Sequence, residues 1–348
     1  MTELSTEPAS TTIGRSQPGR RADAGFLAEH AWTIAVLLPC YNEGLSIRRV
    51  VEDFRRALPG ALIFVYDNRS TDNTAAEARA AGVVVRAEPW PGKGNVVRRM
   101  FADIDADIYI MADGDGTYDA SRAPEMARRM LDEHLDMVVG TRSGIYDEAH
   151  RAGHGFGNRV FNWLYRSLFG ELFTDIFSGY RVFSRRFVKS FPAASAGFEI
   201  ETEMSVHASL LRMPVAEVPT AYGAREEGSV SKLRTFRDAA RILRTFLLLF
   251  KEIRPAAFFG WIAVALLILA LILGAPVVMT FLQTGLVPRI PTAILVTGLA
   301  VLAGISTTCG LILDSVASGR LEHKRLIYLG MTQFQSRPRN PPVEPIAD

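Results

Sequence analysis

Cysteine is scarce: the 348 residues hold two, Cys40 and Cys309, far apart and in unlike surroundings. Two such thiols build no disulfide framework, which suits a reducing compartment. Charge of one sign is also lacking. The formal net charge is +2, so the total offers no electrostatic footprint for nucleic acid. Residues 1–30 are rich in Ser, Thr, Gly, Arg and Ala and carry no sustained apolar run. That excludes a secretory signal and reads as a disordered cytosolic tail. No internal repeat or low-complexity tract stands out. Charge is absent altogether from two stretches near the carboxyl end, residues 256–282 and 291–313.

Roughly 20 apolar residues cross a hydrocarbon core, so both stretches qualify as spans, with Gly274 and Pro276 placed to kink or shorten the first. Only Arg289 lies between them, whereas Lys251 and Arg254 precede the pair and Arg320, Lys324 and Arg325 follow it. Loop charges of this kind predict a hairpin with both ends in the cytosol and a place in the inner, cytoplasmic membrane. Residues 231–255 carry Lys232, Arg234, Arg237, Arg241, Arg244, Lys251 and Arg254 beside a stripe of Leu233, Phe236, Ala240, Leu243, Leu247 and Phe250. Such a helix lies in a membrane interface. Residues 316–348 are expected to form a cytosolic tail.

The first two thirds of the chain alternate. Buried-strand candidates at 33–39, 61–66, 83–86, 108–112 and 137–142 are separated by helical patterns at 45–58, 74–81, 95–104 and 123–134. A further helix is expected to end near Leu211, before an edge strand at 215–222. Residues 143–157 read as a loop and 156–169 as an aromatic-bearing amphipathic helix. The alternation predicts an α/β fold with a mostly parallel, doubly wound sheet over residues 31–230.

One strand end stands out. The run Ile108-Tyr109-Ile110-Met111-Ala112 stops at Asp113-Gly114-Asp115. In a strand continued outward, both carboxylates would point to one side. Close carboxylates repel unless a cation lies by them, and Mg²⁺ is usually held by one or two carboxylates together with substrate phosphates. A solvated turn is the plain alternative. Ligands of open α/β sheets bind just past such carboxyl ends.

Four motifs in order resemble family 2 glycosyltransferases with the GT-A fold, and more narrowly the polyprenyl-phosphate sugar transferases with a C-terminal membrane hairpin, dolichyl-phosphate mannose synthase and bacterial glucosyl transferases among them. They are Pro39-Cys40-Tyr41-Asn42-Glu43, the segment 67–74 opening on Asp67-Asn68, Gly92-Lys93-Gly94, and Asp113-Gly114-Asp115. The resemblance covers roughly residues 32–315. It implies that Pro39, Tyr41, Glu43, Asp67 and Asn68 lie at the nucleotide and that Lys93, Asp113 and Gly114 lie at its diphosphate and sugar. Asn68 stands where the family usually has a second Asp. Glu43 reads alternatively as an acid in a first helical turn. Asp113 and Asp115 would hold Mg²⁺ or Mn²⁺, and Thr117 replaces the Gln that many relatives place nearby.

The resemblance further implies a lipid-phosphate site built from Arg142, Arg159, Arg181, Arg225 and Lys232, with Asp175 orienting those arginines or the sugar. Glu199 and Glu201 either touch donor hydroxyls or cap a helix. Asp113, Asp115 and Asp175 are the implied catalytic acids. The implied reaction is inverting transfer of a hexose from a UDP- or GDP-linked donor to a polyprenyl phosphate, for cell-envelope glycan synthesis. Its partners are the donor, the lipid and the membrane, with a homo-oligomer left open. Transfer to a lipid-linked diphosphate sugar, a glycerolipid or a polysaccharide is the alternative, and a non-catalytic scaffold a remote one. A processive synthase is disfavoured: Trp32, Trp90, Trp163 and Trp261 all lie outside any Q-x-x-R-W motif.

Overall fold

The computed structural model describes residues 32–143, 172–197, 199–223, 247–248 and 250–334. A seven-stranded sheet runs in the order β3-β2-β1-β4-β6-β5-β7. Its strands are β1 (Ile34–Cys40), β2 (Leu62–Asp67), β3 (Val84–Ala87), β4 (Ile108–Met111), β5 (Met137–Ser143), β6 (Arg181–Ser184) and β7 (Val215–Ala221). The helices are α1 (Ile47–Ala57), α2 (Thr74–Ala80), α3 (Lys93–Asp103), α4 (Ala123–Asp132), α5 (Arg185–Ser190), α6 (Ile200–Leu211), α7 (Pro255–Thr284) and α8 (Ile290–Gly330).

The unbroken apolar runs of β1 and β4 follow from burial on both faces. Ala35, Leu37, Tyr109 and Met111 enter one core beneath α3, α5 and α6. Ile34, Val36, Leu38, Ile108 and Ile110 enter the other, beneath α1 and α4. The expected Ile47, Val50, Val51 and Phe54 form the buried stripe of α1.

Strands β1 to β4 are parallel to one another, as are β5 and β7, whereas β6 pairs antiparallel with both β4 and β5. The sheet is therefore mixed, matching the mostly parallel arrangement expected apart from this strand. Four residues opened by an arginine gave no strand pattern in the sequence.

Helices α7 and α8 are long and apolar enough to cross a membrane. Gly274 and Pro276 lie inside α7 rather than ending it. The two helices pack closely: Ser306 Oγ donates to the Phe259 carbonyl at 2.9 Å, and a Cβ on Gly310 would lie 3.0 Å from that of Phe259.

The expectation of a tail from residue 316 is corrected. Helix α8 continues to Gly330, and its Leu321 and Tyr328 pack on the core beneath α5 and α6. The segments expected as a loop at 143–157 and a helix at 156–169, and most of the basic helix at 231–255, lie outside the described residues.

Candidate functional site

The parallel strands end along one edge, and the sequence motifs meet there. Cys40 at the end of β1 pairs with Asp67 at the end of β2. The segments that follow are laced together. Asn42 N–H donates to Ser70 Oγ at 2.9 Å, Glu43 N–H to Thr74 Oγ1 at 2.8 Å, and Gly44 N–H to Asp72 Oδ2 at 2.9 Å. Burial alone would raise the Asp72 carboxyl, but bonds from the Thr74 hydroxyl and backbone and from Gly44 hold it below its usual range. Tyr41 and Glu43 are thus fixed beside Asp67. Tyr41 is exposed, and Asp67 Oδ1 is buried without a hydrogen-bond partner among the described residues.

Asn68 has a structural task. Its amide donates to the carbonyls of Glu88 at 3.1 Å and Trp90 at 2.7 Å, and its Oδ1 accepts from Gly92 N–H at 2.7 Å. It therefore pins the loop before α3. An aspartate could accept from Gly92 but donate to neither carbonyl, which gives the departure from the usual second Asp a physical reason. With the side chain buried and committed this way, a direct nucleotide contact is no longer the reading for Asn68.

That loop delivers Lys93. Gly94 N–H donates to the Ala196 carbonyl at 3.0 Å, and a Cβ on Gly94 would overlap the Ser195 carbonyl. Only glycine admits the 195–197 segment so closely. Because that segment leads into α6, the contact also brings in Glu201. Lys93 Nζ is hydrogen-bonded to Asp113 and lies 2.6 Å from Glu201 Oε1, with the lysine side chain only 9% exposed. Burial alone would lower the ammonium's pKa, yet Asp113 and Glu201 outweigh it and hold Lys93 charged. Burial raises Glu201, against the pull of Lys93.

Asp113 and Asp115 follow β4 in a turn rather than continuing the strand. The same-side geometry expected of a strand therefore does not apply. Asp113 faces Lys93 and Gly179, where a Cβ would lie 2.8 Å from Asp113 Oδ2. Asp115 is buried, and its Oδ1 accepts from Thr117 Oγ1 at 2.6 Å and Thr117 N–H at 3.2 Å. Gly114 is packed under Cys40 Sγ, and its carbonyl accepts from Ser46 Oγ at 2.7 Å. Pro39 is buried within β1.

Beyond this lies an ion pair. Arg142, at the end of β5, grips Asp175 through two side-chain hydrogen bonds. Burial alone would lower the guanidinium's pKa and raise the carboxyl's. Their mutual bonds reverse both shifts. Glu217 of β7 accepts from Thr174 N–H at 2.7 Å and fixes the turn carrying Asp175. Tyr222 lies under the Arg142 guanidinium at 5.7 Å and against Tyr118, whose hydroxyl accepts from Gly179 N–H at 2.9 Å.

Arg181 does not join this group. It is wholly buried, donating to the carbonyls of Ile176 and Ser178 at 2.9 Å each and to Ser205 Oγ at 3.0 Å. A phosphate cannot reach it, so its expected role at the acceptor is withdrawn. Arg159, Arg225 and Lys232 lie outside the described residues. Tyr118, Tyr222 and Glu217 were not expected here: Tyr118 follows the acidic motif and the other two lie in the expected edge strand, but neither pattern marks a contact with Arg142 and Asp175. Among the described residues no three His, Cys, Asp or Glu side chains converge as a metal cluster.

A family model described as glycosyl transferase family 2 matches residues 35–191. The chain is 55% identical over 126 residues to protein RfbJ of Shigella flexneri, covering 36% of this chain and 98% of that protein. It is 34% identical over 238 residues to glycosyltransferase AglJ of Haloferax volcanii, covering 67% and 77%. A dolichyl-phosphate hexose transferase from that organism is 27% identical, covering 60% and 90%. Among solved structures, glucosyl-3-phosphoglycerate synthase of Mycobacterium tuberculosis with Mn²⁺, UDP-glucose and phosphoglyceric acid superposes with a TM-score of 0.54 and 22% identity, covering 68% of this chain and 85% of that one. Strand order, motif placement and these likenesses agree: the chain belongs to glycosyl transferase family 2.

Proposed function

We propose that this glycosyltransferase moves a hexose from a UDP- or GDP-linked donor to a polyprenyl phosphate in the membrane, with inversion. The observation that carries the reading is the course of α8. Helix α6 starts at the site, where Glu201 meets Lys93, and ends at Leu211, near the opposite edge of the sheet. On α8, Leu321 comes before Tyr328, and Tyr328 meets Asp136 at that far edge. Helix α8 therefore runs without a break from the apolar hairpin onto the catalytic unit and is anchored there. A lipid phosphate at the membrane surface would then lie within reach of that unit.

Tyr41, Glu43 and Asp67 would hold base and ribose, a carboxylate accepting from a base N–H. Lys93 supplies a point charge to the diphosphate. One ammonium faces Asp113 and Glu201 with Asp115 nearby, so the site is rich in carboxylate before any diphosphate enters. That oxygen-only donor set fits a hard divalent ion whose remaining positions go to phosphate oxygens. Asp113 and Asp115 would hold Mg²⁺ or Mn²⁺, which supplies charge neutralisation at the leaving diphosphate. Arg142, fixed by Asp175, would bind the acceptor phosphate, with Arg159, Arg225 and Lys232 as further candidates. That phosphate is already ionised near neutral pH, so no strong general base is needed. Catalysis then rests on positioning and electrostatics.

The domain plan follows: a catalytic unit over residues 31–230, an interface helix to 255, and spans near 256–282 and 291–313 in the cytoplasmic membrane, with catalytic unit and termini cytosolic. The dolichyl-phosphate hexose transferase likeness supports the lipid acceptor. A soluble phosphorylated acceptor is the second reading, favoured by the fold it shares with the phosphoglycerate synthase.

Purified protein incubated with polyprenyl phosphate and a panel of labelled sugar nucleotides, with and without EDTA, tests this. The expected product is one labelled lipid, formed only with divalent ion. Labelling of phosphoglycerate and never of lipid would favour the second reading instead.

A further inference from the structure

We propose that the part of α8 beyond the apolar hairpin is a rigid strut that sets the height and facing of the site above the bilayer, with Tyr328, Asp136 and Arg186 as its foot. The inference rests on the membrane-acceptor reading above and goes beyond it.

The strut begins where α7 begins. Gly310 packs beside Ala256 and Phe259 of the first turns of α7, so both helices meet the membrane boundary at one level. Charge returns to α8 at Asp314, followed by Arg320, Glu322, Lys324 and Arg325. From Asp314 to Gly330 the helix extends about 24 Å at 1.5 Å per residue. Asp314 and Ala317 are half-buried whereas Ser318, Gly319 and Arg320 are exposed, so one face of this stretch is covered and the other is open. Then Leu321, Lys324 and Tyr328 recur at helical spacing and turn inward on the core beneath α5 and α6.

The foot is specific. Asp136, wholly buried at the start of β5, accepts from Tyr328 Oη at 2.6 Å, Arg186 Nη2 at 2.7 Å, Arg186 Nε at 3.1 Å and Ser184 Oγ at 2.7 Å. The Arg186 guanidinium also lies over the Tyr328 ring at 4.4 Å. Gln333 Nε2 donates to the Leu135 carbonyl at 3.0 Å, and Phe334 meets Trp32 edge-on at 5.3 Å. A charged network this complete at one end of a continuous helix resists both sliding and rotation. A flexible linker would show no such anchor. Tyr328, Asp136 and Arg186 are positioning residues, acting on transfer through the attitude of the whole catalytic unit.

The test measures geometry and transfer separately on the full chain in lipid nanodiscs. A dye on Arg79→Cys, in a Cys309→Ser background, reports distance to dye-labelled headgroups. A single narrow distance is expected with Tyr328 intact and with Tyr328→Phe, which keeps the ring over Arg186. A broad distribution is expected for Tyr328→Ala and for a Gly-Gly-Ser insertion after Gly319, which leaves the foot untouched. Transfer to membrane-embedded polyprenyl phosphate should fall about tenfold or more in the two broadened variants. Transfer to a short, water-soluble prenyl phosphate should stay unchanged in both. A broad distribution in the parent, a narrow one in the insertion variant, or equal loss toward both acceptors overturns the strut. If the distances behave as expected while neither prenyl phosphate is ever used, the acceptor reading fails and the strut stands.

Discussion

Arg142 and Asp175 form a two-point pair, Nε to Oδ2 at 2.8 Å and Nη2 to Oδ1 at 2.7 Å. The guanidinium is thereby turned edge-on to one carboxylate while its remaining N–H groups keep a fixed direction. Asp175→Asn should raise the acceptor KM and leave the donor KM unchanged. Charge-assisted bonds contribute about 1.5–3 kcal/mol, so the expected loss in kcat/KM for the acceptor is about ten- to a hundredfold. Arg142→Lys should lose as much, because an ammonium cannot reproduce the fork. Steady-state kinetics with either substrate varied check this; a change confined to the donor KM would contradict it.

Asn68 is predicted to act on the donor through the loop it pins. Asn68→Asp removes the donors to two carbonyls, leaving each acceptor short by about 1–3 kcal/mol if it finds no water. The loop before Lys93 then loosens. Calorimetry should show weaker binding of the nucleoside diphosphate, with the acceptor KM unaffected.

Gly94 and Gly319 should respond oppositely to alanine. At Gly94 a methyl group overlaps the Ser195 carbonyl, and overpacking of this kind costs about 1–3 kcal/mol or more. The Lys93–Glu201 contact is displaced with it, so donor affinity falls too. At Gly319 nothing lies within 4 Å, and replacing a helical glycine gains about 1 kcal/mol. Thermal unfolding of the two variants checks the signs.

His207 predicts an acid-sensitive step. It is buried against Phe187 and Phe191, and burial, with Lys324 adding to it, pushes its pKa down to about 3. The unfolded chain titrates near pH 6.5. Between about 6.5 and 3 unfolding therefore takes up a proton that the folded state refuses, and stability falls by about 1.4 kcal/mol per pH unit. His207→Leu should lose that share of the slope, read as the unfolding temperature against pH. An unchanged slope would refute the assignment.

Much of this was legible in the sequence. Residues of β1 and β4 bury both faces, so their apolar runs announced central strands. The four motifs lay at strand ends because that is where an open sheet offers a cleft. Arg181 misled because charge usually marks a surface, whereas here backbone carbonyls satisfy its guanidinium in the core. Strand β6 was hidden behind that arginine. The inward face of α8 was hidden because Leu321, Lys324 and Tyr328 become a stripe only against a partner surface that local pattern cannot reveal. Glu201 offered two readings at once, and the close approach of the 195–197 segment to Gly94 set its place beside Lys93.

The central claim is that Asp113 and Asp115 bring a divalent ion to a sugar diphosphate beside the lipid surface. Sugar transfer from labelled nucleotide donors to polyprenyl phosphate, measured for the parent and for Asp115→Ala with and without added Mg²⁺ or Mn²⁺, tests it most directly. The account predicts metal-dependent transfer in the parent and a loss of about a hundredfold or more in the variant, with folding and membrane insertion unchanged. Near-normal transfer by Asp115→Ala, or transfer in the parent indifferent to EDTA, would contradict it.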